Sequence, residues 1–343
     1  MPSANFDTCR APVQPVAMDR RRLPSDSGLP IGLSPARAGL IPGTAGHAAF
    51  TIVAAEPSAL PVVIAAPHGG RTYPDAVLAQ MRDPGTSQLR LEDRLVDRLG
   101  EAVVQVTGAA LLVAHAPRAM IDLNRAPDDI DWGMVVPPAD GHGRYQQHPV
   151  PPRGRARHGL GLVPRRLPGT GEIWTAPLDR AELERRINAI HAPYHQALAE
   201  VLAEVRDRWG AVLLVDLHSM PPITGWAGTA VPEFVIGDRF GAACSGALVA
   251  HAFGWFARAG RAVAHNRPYA GGYVLERHAA PRRGIHGLQI ETDRRCYLDP
   301  ELVSEGAGFD QTVDLLAGLI AELAVRVAEL GAARSHAWPQ AAE

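Results

Sequence analysis

Short apolar runs alternate with segments of helical periodicity, and this alternation predicts an α/β fold with a mostly parallel or mixed sheet. Residues 62–66 and 211–215 are continuously apolar, as expected for strands buried on both faces of a sheet. The two runs lead into His68 and His218, at strand ends where open α/β sheets bind ligands. A third apolar run carries Glu291 in a similar setting. Two histidines and a carboxylate at strand ends indicate a metal hydrolase.

The remaining elements are predicted from periodicity and from residues that start and stop helices. Residues 1–45, rich in Pro, Ser, Gly and Arg, are predicted to form a poorly ordered N-terminal arm. A single α/β domain is predicted over residues 46–335, with a Pro-, Gly- and Arg-rich excursion at 133–171 that is long for an ordinary loop. Further elements are predicted in this order: a strand at 50–53, a helix at 89–106, a strand at 109–114, a helix that starts at Asp179 and stops at Gly210, a strand at 231–237, a helix at 240–258, a turn at 266–274, and a helix at 310–330 that Gly331 follows.

The composition excludes several classes of protein. The chain has 343 residues and a net charge of −2, which favours neither nucleic acid nor an anionic membrane as a partner. No apolar stretch approaches the roughly 20 residues of a membrane helix, and no clear secretory apolar core is present, so we expect a cytoplasmic location. All 34 basic residues are arginine, which excludes a Walker lysine or a Schiff-base lysine. The three cysteines lie too far apart to predict a disulfide framework or a cysteine zinc site.

A catalytic zinc site needs a third protein ligand besides the two histidines. The candidates are Glu92 and Asp93, at the predicted start of the 89–106 helix, where ordinary negative charge near a helix N-terminus is the alternative explanation. The residues alone leave open which of the two would bind a metal. Glu291 is a different case, because an isolated carboxylate on an apolar strand is costly unless it is paired or chemically active.

Arg118, Asn124 and Arg125 form a polar group after the 109–114 strand. An asparagine and an arginine side by side can bind a carboxylate, with the guanidinium supplying a fork of donors. The alternative is a buried arginine network with Asp122 or Asp128.

Other histidines and arginines are weaker candidates. His191 and His195 are spaced four residues apart on one helix, which can bind metal, but no general-base glutamate lies between them, so packing roles are favoured. His278 is a weak candidate for lining the site. Five arginines of the excursion are predicted to form a solvated loop face: Arg153, Arg155, Arg157, Arg165 and Arg166.

Six segments, taken in chain order, resemble the N-formylglutamate amidohydrolase family. They span most of the predicted domain, and any one of them is a weak signal, whereas the ordered set is specific. The segments are PHGG at 67–70, EDRLVDRL at 92–99, IDLNR at 121–125, DLHS at 216–219, GGY at 271–273 and GIHGLQIE at 284–291.

This resemblance implies a fold and a metal site. The family is similar in fold to zinc carboxypeptidases and aspartoacylases, which implies a phosphorylase/hydrolase-like, three-layer α/β/α sandwich with a mixed central sheet. The resemblance also implies that His68, Asp93 and His218 hold Zn²⁺. Asp93 matches the family better than Glu92 does.

The resemblance further implies the reaction and its remaining residues. The implied activity is zinc-dependent hydrolysis of the N-formyl, or another short N-acyl, amide of an acidic amino acid, with N-formyl-L-glutamate as an example. Family members with this activity act in histidine degradation. Glu291 would take the place of the general base, and Arg118 would polarise the scissile carbonyl. Asn124 and Arg125 would bind the substrate carboxylate.

Two departures from the family pattern concern the substrate. Histidine-degrading members often carry a basic residue where this chain has Ala270, and residues 292–295 also differ. The acyl group, the amino acid and the oligomeric state therefore stay open. The alternatives are an amidase for other N-acyl amino acids or cell-wall peptides, and a non-catalytic zinc- or ligand-binding relative. An iron(II) oxygenase is disfavoured, because that class usually brings a closely spaced His-x-Asp/Glu pair on a β-barrel.

Overall fold

The computed structural model describes residues 39–136, 154–224 and 230–337. Residues 1–38 of the predicted N-terminal arm therefore lie outside the described residues, as do residues 137–153 of the predicted excursion. None of the helices in the described ranges has the length and apolar character that crossing a bilayer requires.

The described residues contain eleven strands and eight α-helices. The strands are β1 (Phe50–Val53), β2 (Val62–Ala66), β3 (Ala110–Ala114), β4 (Val135–Val136), β5 (Arg166–Leu167), β6 (Gly171–Glu172), β7 (Leu178–Asp179), β8 (Val212–Met220), β9 (Phe234–Gly237), β10 (Val263–His265) and β11 (Ile285–Asp293). The helices are α1 (Asp75–Leu78), α2 (Pro84–Leu91), α3 (Val96–Thr107), α4 (Arg180–Arg186), α5 (Ala192–Trp209), α6 (Gly246–Arg258), α7 (Tyr273–His278) and α8 (Phe309–Ala337).

Seven strands form one mixed sheet in the spatial order β1-β3-β2-β8-β11-β9-β10. The four strands β3, β2, β8 and β11 run parallel to one another. Strand β1 is antiparallel at one edge, and β9 is antiparallel to β11 near the other edge. The α/β class with a mixed central sheet is thus confirmed. Because the four central strands are parallel, their carboxyl ends lie side by side.

Strands β2 and β3 are apolar on both faces, and helices pack against each face. Neighbouring residues of β2 belong to two different buried clusters, with Val63 in one and Ile64 in the other. The first cluster includes Leu198 of α5, and we call it the α5-side core. The second includes Leu323 of α8, and we call it the α8-side core. The continuous apolar runs of the sequence reflect this burial on two sides.

The helix predicted at 89–106 is wrong as a single element, because it is two helices joined by a short connection. Helix α2 ends at Leu91, and α3 begins at Val96 after Leu95, whose φ of 56° lies in the left-handed region. Within the connection, the backbone N–H of Asp93 donates to the carbonyl of His68 at 3.0 Å. Asp93 is therefore tied to the end of β2 and does not lie in the first turn of a helix.

The long helix predicted from Asp179 is confirmed at both ends but contains a π-helical segment. The Asp179 side chain accepts from two backbone N–H groups of α4, and Gly210 ends α5 with a φ of 77°. Between α4 and α5, residues Ile187–His191 form the π-helix. The cause is Pro193, which has no N–H to offer the carbonyl of Ala189. That carbonyl accepts instead from the N–H of Leu40 at 3.1 Å.

The prediction that the last helix stops before Gly331 is also wrong, because α8 continues to Ala337. A side chain at position 331 would collide with the backbone of Trp209 and Ala211. Glycine is therefore present for close packing of α8 against the turn that follows α5. The other predicted boundaries are less accurate than the elements themselves, since the helix predicted at 240–258 begins only at Gly246.

Candidate active site

Four side chains from separate elements come together near the carboxyl ends of the central strands. His68 follows β2, and Asp93 lies in the connection between α2 and α3. His218 lies on β8 and Glu291 on β11, where the two are direct partners in the strand register. All four are buried, with 6% exposure or less.

His68, Asp93 and His218 place one potential ligand atom each within 4.8 Å of one another. Oδ2 of Asp93 lies 2.8 Å from Nδ1 of His218 and 3.5 Å from Nδ1 of His68. Nδ1 of His68 is buried and has no hydrogen-bond partner among the residues that the structure describes. An imidazole nitrogen without a partner, beside a second imidazole and a carboxylate, is a donor set that fits zinc. The structure brings Asp93 to the histidines, whereas the carboxylate of Glu92 pairs with Arg94 at 2.9 Å.

Both histidines also bind a carboxylate through their other ring nitrogen. Nε2 of His68 lies 2.7 Å from Oδ1 of Asp122, and Nε2 of His218 lies 3.1 Å from Oδ2 of Asp216. Such partners fix the orientation of a ligating imidazole and raise its basicity. Each ring thus turns Nδ1 toward Asp93 and Nε2 toward an outer carboxylate.

Arg294 supports the Asp93 connection from the far side. Nη2 of Arg294 lies 3.7 Å from Oδ1 of Asp93 and also donates to the carbonyl of Glu92. Nη1 donates to the carbonyl of Leu89 at 3.0 Å, and Nε lies 3.3 Å from Oγ of Ser219. This buried guanidinium therefore links the end of α2, the Asp93 connection and the end of β8.

The charges in the cluster are strongly coupled. Burial alone would raise the pKa of Asp93, but the hydrogen bond with His218 and the nearby ring of His68 outweigh burial and lower the pKa. Burial alone would lower the pKa of His218, but Asp216 and Asp93 raise that pKa well above the usual value. Asp93 is thus held as a carboxylate in the interior.

Glu291 has the opposite tendency. Burial raises the pKa of Glu291 to about 7, with Asp93 and Asp216 adding to the rise and His218 and Arg118 opposing it. Oε1 of Glu291 accepts a hydrogen bond from Gln289 at 2.8 Å. A buried carboxyl group with a pKa near neutrality is able both to take and to release a proton at working pH.

Arg118 is held in the site by Asp122, and the Arg–Asp network considered above is present. Nε of Arg118 donates to Oδ2 of Asp122 at 2.9 Å. Burial opposes the charge of Arg118, but Asp122 and Asp93 outweigh burial and raise the pKa of the guanidinium. Among the described residues, the two terminal nitrogens of Arg118 have no hydrogen-bond partner. They remain able to bind an oxygen.

Asn124 is engaged on both sides of its amide. Its Oδ1 accepts from the backbone N–H of Val274 at 2.8 Å, and its Nδ2 donates to Oδ2 of Asp216 at 3.4 Å. The neighbouring Arg125 donates through Nε to the carbonyl of Leu160 at 3.0 Å and through Nη1 to the carbonyl of Asn124. Within the described chain, Nη2 of Arg125 has no hydrogen-bond partner. Of this pair, Arg125 is the residue with a free donor.

The match of the chain to a protein-family model decides the family. Residues 60–298, more than two thirds of the chain, match the model of the N-formylglutamate amidohydrolase family. The chain belongs to this family. The resemblance seen in the six sequence segments is therefore confirmed.

Curated relatives and solved structures agree with the family assignment. The N-formylglutamate deformylase of Pseudomonas aeruginosa is 27% identical over 245 residues, covering 71% of this chain and 84% of the relative. The corresponding deformylase of Pseudomonas putida is 28% identical over 244 residues, covering 70% of this chain and 82% of the relative. The crystal structure of an N-formylglutamate amidohydrolase from Ralstonia eutropha superimposes with a TM-score of 0.71 at 34% identity, covering 81% of this chain and 98% of that one. A protein from Agrobacterium tumefaciens, at 18% identity and a TM-score of 0.58 over 81% of this chain and 96% of its own, shares the fold.

Several residues of the site in this family member were not predicted as part of it. Asp216 was named only within the DLHS segment, and Arg294 only within a departure from the family pattern. Tyr269 was not singled out either; burial raises the pKa of its phenol, and the charges of Glu291 and Asp93 add to the rise. The alternation of Asp216 with His218 on one face of a strand was the available signal for the first. Nothing in the local sequence pointed to Arg294 or Tyr269.

Proposed function

We propose that the protein is a zinc-dependent amidohydrolase that cleaves the N-formyl, or another short N-acyl, amide of an acidic amino acid such as N-formyl-L-glutamate. The observation that carries this proposal is the buried cluster of His68, Asp93 and His218 in a member of this family. The deformylase activity in the names of the Pseudomonas relatives supports the same substrate.

His68, Asp93 and His218 would hold the zinc ion. Zinc in such a site supplies Lewis acidity, which polarises a carbonyl group and brings the ionisation of water into the neutral range. Asp122 and Asp216 keep the two imidazoles in the orientation and tautomer that direct Nδ1 toward the ion. Arg294 keeps the Asp93 connection in place.

Glu291 serves as the general base. Its carboxylate takes the proton of the attacking water and returns that proton to the nitrogen of the departing amine. The buried position and the pKa of about 7 support this role, because both protonation states are accessible at neutral pH.

Arg118 and the Asn124–Arg125 pair act on the substrate. The terminal nitrogens of Arg118 donate to the carbonyl oxygen as negative charge develops on it. Arg125, together with Asn124, holds a carboxylate of the substrate and fixes its orientation. The amide of Asn124 already bonds within the protein, so we assign most of the carboxylate binding to Arg125.

Three wider predictions accompany this function. We propose that the catalytic unit is one domain with the three-layer α/β/α architecture of zinc carboxypeptidases, which the apolar cores on both faces of the sheet support. A small N-acyl amino acid is the proposed partner, with no role for nucleic acid or membrane. The cytoplasmic location stays a prediction.

The proposal is tested by measuring formate release from N-formyl-L-glutamate. We expect the zinc-loaded protein to release formate, a chelator to abolish the release, and added zinc to restore it. Turnover that is indifferent to the chelator would contradict the metal mechanism. If zinc binds stoichiometrically but no formate appears, other N-acyl amino acids should be assayed, and a binding role is favoured when none is cleaved.

A further inference from the structure

Three buried histidines outside the proposed zinc site form a second polar group. His191, His195 and His278 come from the π-helix, α5 and α7, and their exposure is 7% or less. Nδ1 of His195 lies 3.0 Å from Nε2 of His278, and the rings of His191 and His195 have centroids 4.4 Å apart. We call these three residues the histidine cluster. The reaction proposed above does not use any of them.

The histidine cluster binds the backbone on both sides of Asn124. Nε2 of His195 lies 3.0 Å from the carbonyl of Leu123, and Nε2 of His191 lies 2.9 Å from the carbonyl of Arg125. A carbonyl oxygen only accepts hydrogen bonds, so both Nε2 atoms must carry a proton. Two consecutive polar residues of the candidate site are thus held between two imidazole donors.

The tautomers of the cluster follow from these contacts. Burial lowers the pKa of His195 to about 2 and that of His278 to about 3, so both rings are neutral. With its proton on Nε2, a neutral His195 has a bare Nδ1, which can only accept. Nε2 of His278 must therefore be the donor. The direction of each hydrogen bond is fixed, from His278 to His195 and from His195 to Leu123.

Helix α7 connects the histidine cluster to the side chain of Asn124. Helix α7 carries His278 at its last residue, and Val274 near its start donates to Oδ1 of Asn124 at 2.8 Å. One helix therefore fixes the Asn124 amide directly and fixes the preceding carbonyl through His278 and His195. The Asn124 amide in turn lies 3.2 Å from His218.

We propose that the histidine cluster is a positioning device that sets the Asn124–Arg125 pair for substrate binding, with the Nε2 donor of His278 as its essential element. The proposal rests on the proposed function, since the pair binds a substrate carboxylate only there. Simple packing would need side chains of suitable volume, whereas positioning needs the directed chain of donors.

Two substitutions at His278 separate positioning from packing. His278→Gln keeps an N–H donor near the place of Nε2, and His278→Met fills similar volume without one. The matched control is Tyr194→Phe, next to His195 on α5, because the buried Tyr194 hydroxyl has no hydrogen-bond partner in the described part of the chain.

The readouts are KM, kcat and the preference for a carboxylate. The substrates are N-formyl-L-glutamate and its two mono-carboxamides, N-formyl-L-glutamine and N-formyl-L-isoglutamine. We expect His278→Met to raise KM for N-formyl-L-glutamate about tenfold, with a smaller change in kcat, and to reduce by a similar factor the discrimination against the poorer carboxamide. His278→Gln and Tyr194→Phe should stay within about threefold of wild type in both quantities. Equal losses in the Gln and Met variants, or an unchanged preference in a folded His278→Met protein, would overturn the proposal.

A measurement on the unmodified protein does not depend on the folding of any variant or on turnover. Long-range ¹H–¹⁵N correlations of the imidazole rings should show His195 and His278 neutral, with the proton on Nε2, at neutral pH. A proton on Nδ1 of His195, or a charged ring, would overturn the proposal. If wild type cleaves neither an N-formyl nor another short N-acyl amino acid, the proposed function fails by itself. The crystal structure of His278→Met then decides, because positioning requires a displaced Asn124 side chain and an unmoved one rejects it.

Discussion

Near their carboxyl ends, strands β8 and β11 have one apolar face, which packs in the protein core, and one polar face, which carries side chains of the candidate site. On one face, Leu217 and Ile290 continue the α8-side core. On the other, His218 and Glu291 stand at the candidate site. Because successive side chains of a strand point to opposite faces, one pair of strands supplies both the packing and the chemistry. A substitution should therefore affect either stability or activity according to the face on which it lies.

The largest effect is expected from Glu291→Gln on the polar face. Loss of the general base should reduce kcat about a thousandfold, because positioned proton transfer typically contributes 10²- to 10⁴-fold. Zinc binding should persist, since Glu291 is not one of the three proposed ligands. The measurement is kcat together with the zinc content of the purified protein. Glu305→Gln, at a partly exposed carboxylate, is the control; a Glu291→Gln enzyme with wild-type turnover rules out the assignment.

The matched substitution on the apolar face is Leu288→Ala. Leu288 is fully buried in the α8-side core, and its truncation should lower the free energy of unfolding by about 3 kcal/mol. The folded fraction should keep its kcat/KM within about twofold. Urea unfolding and steady-state kinetics on the same preparation measure both quantities. A stable protein with impaired catalysis would show that the two faces are not separable in this way.

A smaller effect is expected from replacing Arg294, which holds the Asp93 connection of the proposed zinc site. Arg294→Met should raise the zinc dissociation constant about 10- to 100-fold, because Asp93 loses the guanidinium that holds its connection. Arg295→Met is the control, since that neighbouring side chain is 58% exposed and pairs with Asp293. Competition with a fluorescent chelator measures both constants. Equal zinc dissociation constants for the two variants would show that Arg294 does not support the zinc site.

The smallest expected effect is a pH dependence of the free energy of unfolding that arises from His278 in the histidine cluster. His278 has a pKa of about 3 in the folded protein, against 6.5 in its reference state. The unfolded chain therefore binds more protons between these values, and stability that is complete above about pH 6.5 is lost as the pH falls toward 3. His278→Gln should make the dependence shallower by up to about 1 kcal/mol per pH unit between pH 4.5 and 6.5. Urea titrations at several pH values test this; identical slopes for the two proteins would contradict it.

The apolar face was the easier part to predict from the sequence. Continuous runs such as 62–66 and 211–215 can hardly be anything other than buried strands, and the histidines after them marked the functional edge. The ordered motifs then led to Asp93 through family resemblance. Periodicity alone had placed that residue inside a helix, because a four-residue connection does not interrupt the pattern of apolar positions.

The supporting contacts of the polar face could not be predicted in the same way. Arg294 reaches Leu89 and Glu92 across about 200 positions of the chain, and no local pattern encodes such a contact. The packing roles favoured for His191 and His195 captured their burial but missed the donor contacts to Arg125 and Leu123. Those contacts join positions more than 60 residues apart, and no local pattern encodes them.

The most direct test of the polar face as a metal hydrolase site is anomalous diffraction at the zinc edge from crystals grown with zinc. We expect one strong peak among His68, Asp93 and His218, close to Nδ1 of both histidines. Absence of that peak, or a dominant zinc bound away from these three residues, would contradict the central claim that this face of the sheet holds the catalytic metal.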